Sequence, residues 1–190
     1  LWPKAAAVGL LGLGYPEEYG GSQEGIDSWH GWIANEELAR IGVGGIPASL
    51  MVHGIGLPPV INWGSQAMKE LVAPPVLVGE KHISLGITEP GGGSDVAQLA
   101  TTAVRDGDHF VVDGSKTYIT NGTQADFLTL LARTSEDPGY HSFSLLVVPT
   151  NLPGFRVSRK LKKMGCHSSD TAELFFDDIR IPAENLIGKE

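Results

Sequence analysis

The spacing of hydrophobic positions changes near residue 81. Before that point apolar side chains recur every three or four residues, as one face of a helix requires. After it they alternate with polar ones, as a half-buried strand requires. Pro3 opens a first helix, and Gly12 and Gly14 end it. Asp27 or Ser28 caps a second, which carries Trp29, Ile33, Leu38 and Ile41 and stops at Gly42. Trp29 and Trp32 share helical spacing within an apolar stripe and are expected in the core. Residues 46–61 read as helical despite their glycines. Ser65 caps a short helix through Leu71, and Pro74-Pro75 closes the region.

Beyond residue 81, Asp106-Gly107, Asp113-Gly114 and Asn121-Gly122 are turn dipeptides between short β-rich runs. Residues 101–105, 109–112 and 116–120 therefore predict an antiparallel meander. Residues 127–132 and 143–148 predict two more strands, split by a polar loop at 133–141. Residues 151–169 read as irregular, and 171–181 as a long strand ended by Pro182. Helices followed by consecutive strands make an α+β order, with a helical domain over 1–80 and a β-domain over 81–190. No internal repeat or low-complexity tract is visible.

Residues 82–96, HISLGITEPGGGSDV, concentrate the chemistry. Ile83, Leu85 and Ile87 alternate with Ser84, Gly86 and Thr88, and Pro90 ends the strand. Gly91, Gly92 and Gly93 follow, then Ser94 and Asp95. A glycine run lets backbone N–H groups converge on an anion such as phosphate; it equally makes a plain turn with a solvated serine. No Gly-Lys-Ser/Thr follows, and Val96 stands where GxGxxG needs its last glycine. In the run 116–120, Tyr118 and Thr120 lie two apart and share a face. An aromatic beside a hydroxyl suits a planar heteroaromatic ring, although both are ordinary strand residues.

Composition narrows the picture. A net charge of −8 disfavours nucleic acid or an anionic membrane as main partner, yet leaves Lys160, Lys162 and Lys163 free to meet a phosphate. The single Cys166 excludes an internal disulfide and suits a reducing compartment. Cys166 and His167 are adjacent and lack metal-site spacing, and sequence neighbours rarely face each other as nucleophile and base. GGGSDV is not the GxSxG elbow of hydrolases. Glu36-Glu37 and Asp177-Asp178 read as solvated charges. The apolar run at 47–61 is broken by glycines and prolines well short of a membrane span. The chain opens on Leu1 and is expected to be a fragment.

GITEPGGGSDV at 86–96 resembles the flavin-binding signature of the acyl-CoA dehydrogenase family. KTYITNG at 116–122 resembles its second flavin motif, and the likeness extends through FFDDIRIPAENLIG at 175–188. It runs from about Gly9 to the chain end. The resemblance implies a partial helical N-terminal domain packed on an antiparallel β-barrel domain, with the family's C-terminal helical bundle missing. It implies FAD as cofactor, held at Leu85, Gly86, Ile87, Thr88, Gly93, Ser94, Tyr118, Ile119 and Thr120. Thr88 and Thr120 would bond the isoalloxazine, and Ser94 would contact both cofactor and acyl-CoA. Where this chain has Tyr118 the family more often has tryptophan. The implied reaction is α,β-dehydrogenation of an acyl-CoA thioester, with electrons passing to an electron-transfer flavoprotein. The family's catalytic glutamate lies in the absent bundle, so no catalytic residue is assigned here. Residues 1–190 alone are therefore expected to hold FAD weakly or not at all and to reduce no artificial acceptor with any acyl-CoA. The run KMGCHSSDTAELFFDDIRIP at 163–182 is most similar to medium-to-long-chain and branched-chain members. The resemblance also implies a dimer or tetramer, in a bacterial cytoplasm or a mitochondrial matrix. A flavin-dependent oxidase or monooxygenase on the same fold, and a scaffold that kept the fold without catalysis, are the alternatives.

Overall fold

A computed structural model describes residues 1–189. Six helices come first: α1 (Trp2–Ala7), α2 (Ser28–Ala39), α3 (Gly45–Leu50), α4 (His53–Gly56), α5 (Pro58–Trp63) and α6 (Gln66–Leu77). The predicted single helical stretch at 46–61 is three short helices, and α1 stops at Ala7, well before Gly12. The Asp27 carboxylate accepts from the Trp29 N–H at 3.0 Å, so the expected cap of α2 is present. Its expected core face is not. No residue of α2 is buried, and Trp29 and Trp32 are 72% and 71% exposed. Periodicity finds an apolar stripe but does not say what covers it.

Helix α6 also departs from expectation, running straight through Pro74 and Pro75 to Leu77. An interior proline costs roughly 3 kcal/mol. Val72, Ala73, Val76 and Leu77 lie on the opposite side of that balance, each at most 2% exposed. Burying a large aliphatic side chain stabilises by about 1.5–3 kcal/mol. The carbonyls deprived of partners belong to Glu70 and Leu71, which are exposed.

Eight strands follow: β1 (Ile83–Gly86), β2 (Thr102–Asp106), β3 (His109–Thr120), β4 (Phe127–Arg133), β5 (Phe143–Pro149), β6 (Phe155–Lys160), β7 (Thr171–Pro182) and β8 (Leu186–Ile187). They form one sheet in the order β6-β7-β3-β2-β4-β5-β8, with β1 beside β4. The predicted α+β order of helices then sheet holds. The sheet, however, is mixed: β1 and β2 both meet β4 in parallel, while the other pairs are antiparallel. Strand β6 lies within the stretch read as irregular.

The Asp106-Gly107 turn is present, closing the β2–β3 hairpin. Asp113-Gly114 is not a turn but a bulge inside one long strand. Gly114 has φ +142°, and a Cβ there would lie 2.6 Å from Thr101 Oγ1. A dipeptide that elsewhere reverses the chain here lets β3 bend past residue 101. The sheet's interior is packed by Phe110, Val112, Leu128, Leu130, Leu146 and Ile179. A second core joins Leu57 and Val60 of α4–α5 and Val72 and Val76 of α6 to Ile83, Phe127 and Val147 of the sheet. Helices and strands are thus fixed to one another where β1 runs between them.

Candidate functional site

Strand β1 and the end of β3 lie side by side without a regular ladder. Three hydrogen bonds join them instead. Ser84 Oγ donates to the Thr120 carbonyl at 2.8 Å, and the Thr117 N–H donates to the Thr88 carbonyl at 2.8 Å. Lys116 Nζ donates to the Ile87 carbonyl at 3.0 Å. The expected alternation in β1 therefore has an unexpected consequence. Ile83, Ser84 and Gly86 are buried, whereas Leu85, Ile87 and Thr88 are only partly so. These three are open because they line a cleft.

That cleft encloses about 270 Å³ and is lined by Val52, Ile55, Leu85, Ile87, Thr88, Tyr118, Ile119 and Thr120. Six of the nine residues expected at a flavin site come together here. Val52 and Ile55 were not foreseen. They arrive because Thr129 Oγ1 donates to the Gly56 carbonyl at 2.6 Å and pins α4 against the sheet. The approach is close, since a Cβ on Gly56 would lie 3.1 Å from the Ser84 carbonyl oxygen. Asn121 holds the neighbouring α3. Its Nδ2 donates to the Ser49 carbonyl at 2.7 Å, and its Oδ1 accepts from Ser49 Oγ at 2.6 Å.

Tyr118 and Thr120 reach the cleft by a different route from simple alternation. The β3–β7 register shifts between Lys116 and Ile119, and Tyr118 sits at φ 58°. This bulge turns Tyr118 outward, 68% exposed, and brings Ile119 to the same wall. Among the described residues neither the Thr88 nor the Thr120 hydroxyl makes a hydrogen bond, so both can serve a ligand.

The glycine loop differs from the expected nest. Gly91, Gly92 and Gly93 all lie outside the left-handed region. The Gly92 N–H is engaged with the Glu89 carbonyl at 3.1 Å, and the Glu89 N–H with the Gly92 carbonyl at 2.8 Å. The Gly92 amide is thus taken up inside a closed turn and does not join a ring of convergent free amides. Gly93 does stand against Thr88: a Cβ there would meet Thr88 Cγ2 at 3.1 Å. Ser94 is exposed one residue further on and does not line the cleft. Gly86 turns its Cβ direction toward Leu128, at 3.1 Å, so its lack of a side chain serves packing.

Two residues at the site lie inside the two motifs, yet sequence reasoning gave them no role. Glu89 and Lys116 form an ion pair of 2.7 Å, with side chains 8% and 0% exposed. Burial alone would push the Glu89 carboxyl up. Hydrogen bonds from Lys116, Thr101 and Ala100 outweigh that and hold it below the usual carboxylate range. Burial drives the Lys116 ammonium down, and its bond to Glu89 opposes the drop. A glutamate in a polar loop and a lysine in a strand normally read as surface residues, so nothing local marks them as a buried pair. Among the described residues no group of three His, Cys, Asp or Glu side chains is placed to hold a metal ion.

An apolar slot with two unengaged hydroxyls and one exposed aromatic ring matches the two sequence motifs that meet there. Family models agree. Residues 1–80 match the acyl-CoA dehydrogenase N-terminal domain, and residues 84–179 match the acyl-CoA dehydrogenase middle domain. The chain belongs to the acyl-CoA dehydrogenase family. A probable acyl-CoA dehydrogenase from Mycobacterium abscessus is 52% identical in its solved structure, with a TM-score of 0.94 over 99% of this chain and 50% of that one. An acyl-CoA dehydrogenase of Bacillus subtilis is 37% identical, over 98% of this chain and 49% of its own length. A glutaryl-CoA dehydrogenase of Desulfococcus multivorans is 40% identical, over 96% and 47%. The chain spans about half the length of these acyl-CoA dehydrogenase relatives.

Proposed function

We propose that these residues form the flavin-facing part of an FAD-dependent acyl-CoA dehydrogenase. The observation that carries this reading is the convergence of Thr88 and Thr120 with Tyr118 on one apolar cleft. The residues fit the group. A flavin has a flat apolar body and polar edge atoms, which ask for an aromatic or aliphatic wall with a few placed hydroxyls. Thr88 and Thr120 would hold the polar edge, Tyr118 would pack against the ring, and Leu85, Ile87 and Ile119 would exclude water. Bound there, FAD supplies the hydride acceptor for desaturating an acyl thioester. Val52 and Ile55 form the cleft's opposite lip and would orient an apolar chain toward it. Proton removal at the α-carbon needs a carboxylate within hydrogen-bond reach. Among the described residues no carboxylate lines the cleft, and Glu89, next to Thr88 in the chain, is committed to Lys116 and two backbone amides. It serves structure, so the base would come from outside these 190 residues.

The same reading names an acyl-CoA as substrate, Ser94 as a contact to it, and an electron-transfer flavoprotein as acceptor. It places the whole protein in a homo-oligomer, in a bacterial cytoplasm or a mitochondrial matrix. The names of the relatives support the thioester class. No helix among the described residues is long and apolar enough to cross a membrane. The test is a screen of acyl-CoA chain lengths against the whole protein with an artificial electron acceptor. Acceptor reduction with at least one acyl-CoA, by a protein carrying flavin absorbance, is expected. A purified, folded protein with no flavin absorbance after incubation with FAD would sink the reading.

A further inference from the structure

We propose that Glu89 and Lys116 are a positioning pair that sets the spacing between the two threonine-bearing walls of the cleft. The proposal rests on the flavin reading above. Taking two charges out of water is costly, and replacing such a pair by neutral residues is often neutral for stability. The burial of this pair therefore calls for a geometric reason, and its neighbours supply one. Ile87 and Thr88 immediately precede Glu89 and form one wall. Tyr118 and Thr120 follow Lys116 and form the other. Lys116 Nζ reaches both the Ile87 carbonyl, at 3.0 Å, and the Glu89 carboxylate, at 2.7 Å. The ammonium thus clamps the end of one wall to the start of the other.

The carboxylate extends the clamp. It accepts the Ala100 N–H at 2.7 Å and the Thr101 N–H at 3.0 Å. Thr101 Oγ1 donates onward to the Ser115 carbonyl at 3.2 Å, one residue before Lys116. The loop from 89 to 101 is therefore closed onto β3 at both ends. The position of the clamp also matters. The β3–β7 register slips between Lys116 and Ile119, so Lys116 is the last residue in regular register before the bulge that presents Tyr118. Fixing Lys116 fixes where that bulge begins.

The test uses the whole protein at saturating FAD, at a temperature where every variant is folded. Glu89→Gln leaves the ammonium unpaired. Glu89→Gln with Lys116→Met leaves no bare buried charge, so it folds even where the single variant does not. Leu146→Ala, in the sheet core away from the cleft, is a destabilised control. Both pair variants should alter the visible absorption envelope of the bound flavin. Both should slow its reduction by the best acyl-CoA at least tenfold, with the loss in kcat and not in KM. The control should keep the parent spectrum and rate per bound flavin. Parental spectrum and rate in the double variant would overturn the pair's role, whatever its melting temperature. A parent that binds no FAD would overturn the functional reading, and the pair's role with it.

Discussion

Thr120 illustrates how far single residues can be read. Its hydroxyl makes no hydrogen bond within the described residues, while its carbonyl is fixed by Ser84 Oγ at 2.8 Å. The side chain is thus held by its backbone and free at its tip. Thr120→Val keeps the shape and removes only the donor and acceptor. A neutral hydrogen bond is worth about 0.5–1.5 kcal/mol net. The dissociation constant for FAD in the whole protein should rise roughly twofold to thirteenfold by that measure, with an unchanged far-ultraviolet spectrum. Identical FAD affinity and reduction rate would remove Thr120 from the site. Thr88, Tyr118 and Thr120 were legible because motif and residue type agreed. The means by which Tyr118 gets there was not. A tyrosine at φ 58° breaks the local preference of its residue type, and tertiary ties on both sides of it, from Lys116 to the Ile87 carbonyl and from Ser84 Oγ to the Thr120 carbonyl, hold the segment in place. Glu89 and Lys116 were illegible for the related reason that pairing across 27 residues leaves no trace in either neighbourhood.

Elements were legible where local chemistry decides and misread where packing does. The Asp27 cap and the Pro182 end of β7 are local and came out as expected. The helix through Pro74-Pro75 and the bulge at Gly114 are tertiary outcomes that override propensity. The short helices owe their arrangement to buried polar ties, and one of these is titratable. His53 opens α4, is 5% exposed, and bonds the Leu11 carbonyl through Nε2 at 2.9 Å. Burial holds its imidazole below the usual value, and the carbonyl bonds offset part of that. The unfolded chain takes up this proton near pH 6.5, while the folded chain resists it. The stabilising contribution is therefore complete above about pH 6.5 and is lost as pH falls through the lower folded value. Denaturant unfolding of the whole protein should show stability falling between pH 7.5 and 5.5. His53→Gln keeps an N–H donor without a titrating ring and should fall less steeply. Equal slopes for the two proteins would show that His53 contributes nothing to the acid side of the curve.

At the scale of the whole molecule, the helical region and the sheet share a core, yet α2 stands outside it. Trp29, Trp32 and Ile33 are 72%, 71% and 60% exposed and occupy positions i, i+3 and i+4 of one helix face. Scattered apolar side chains on a surface need no explanation, but two tryptophans and an isoleucine in one stripe make a contiguous adhesive patch. A tryptophan buries about 150–250 Å² when covered. At about 25 cal/mol per Å² the two rings offer several kcal/mol to any apolar surface that meets them, enough to offset part of the entropy lost on association. Residues 1–190 expressed as they stand should therefore self-associate at micromolar concentration. Replacing both rings, Trp29→Ser with Trp32→Ser, should weaken that association at least tenfold in sedimentation velocity. Since neither ring is buried within the chain, the melting temperature should change little. Unchanged association in the double variant would place the contact elsewhere. A large fall in melting temperature would show that the rings pack intramolecularly, against the exposure seen here.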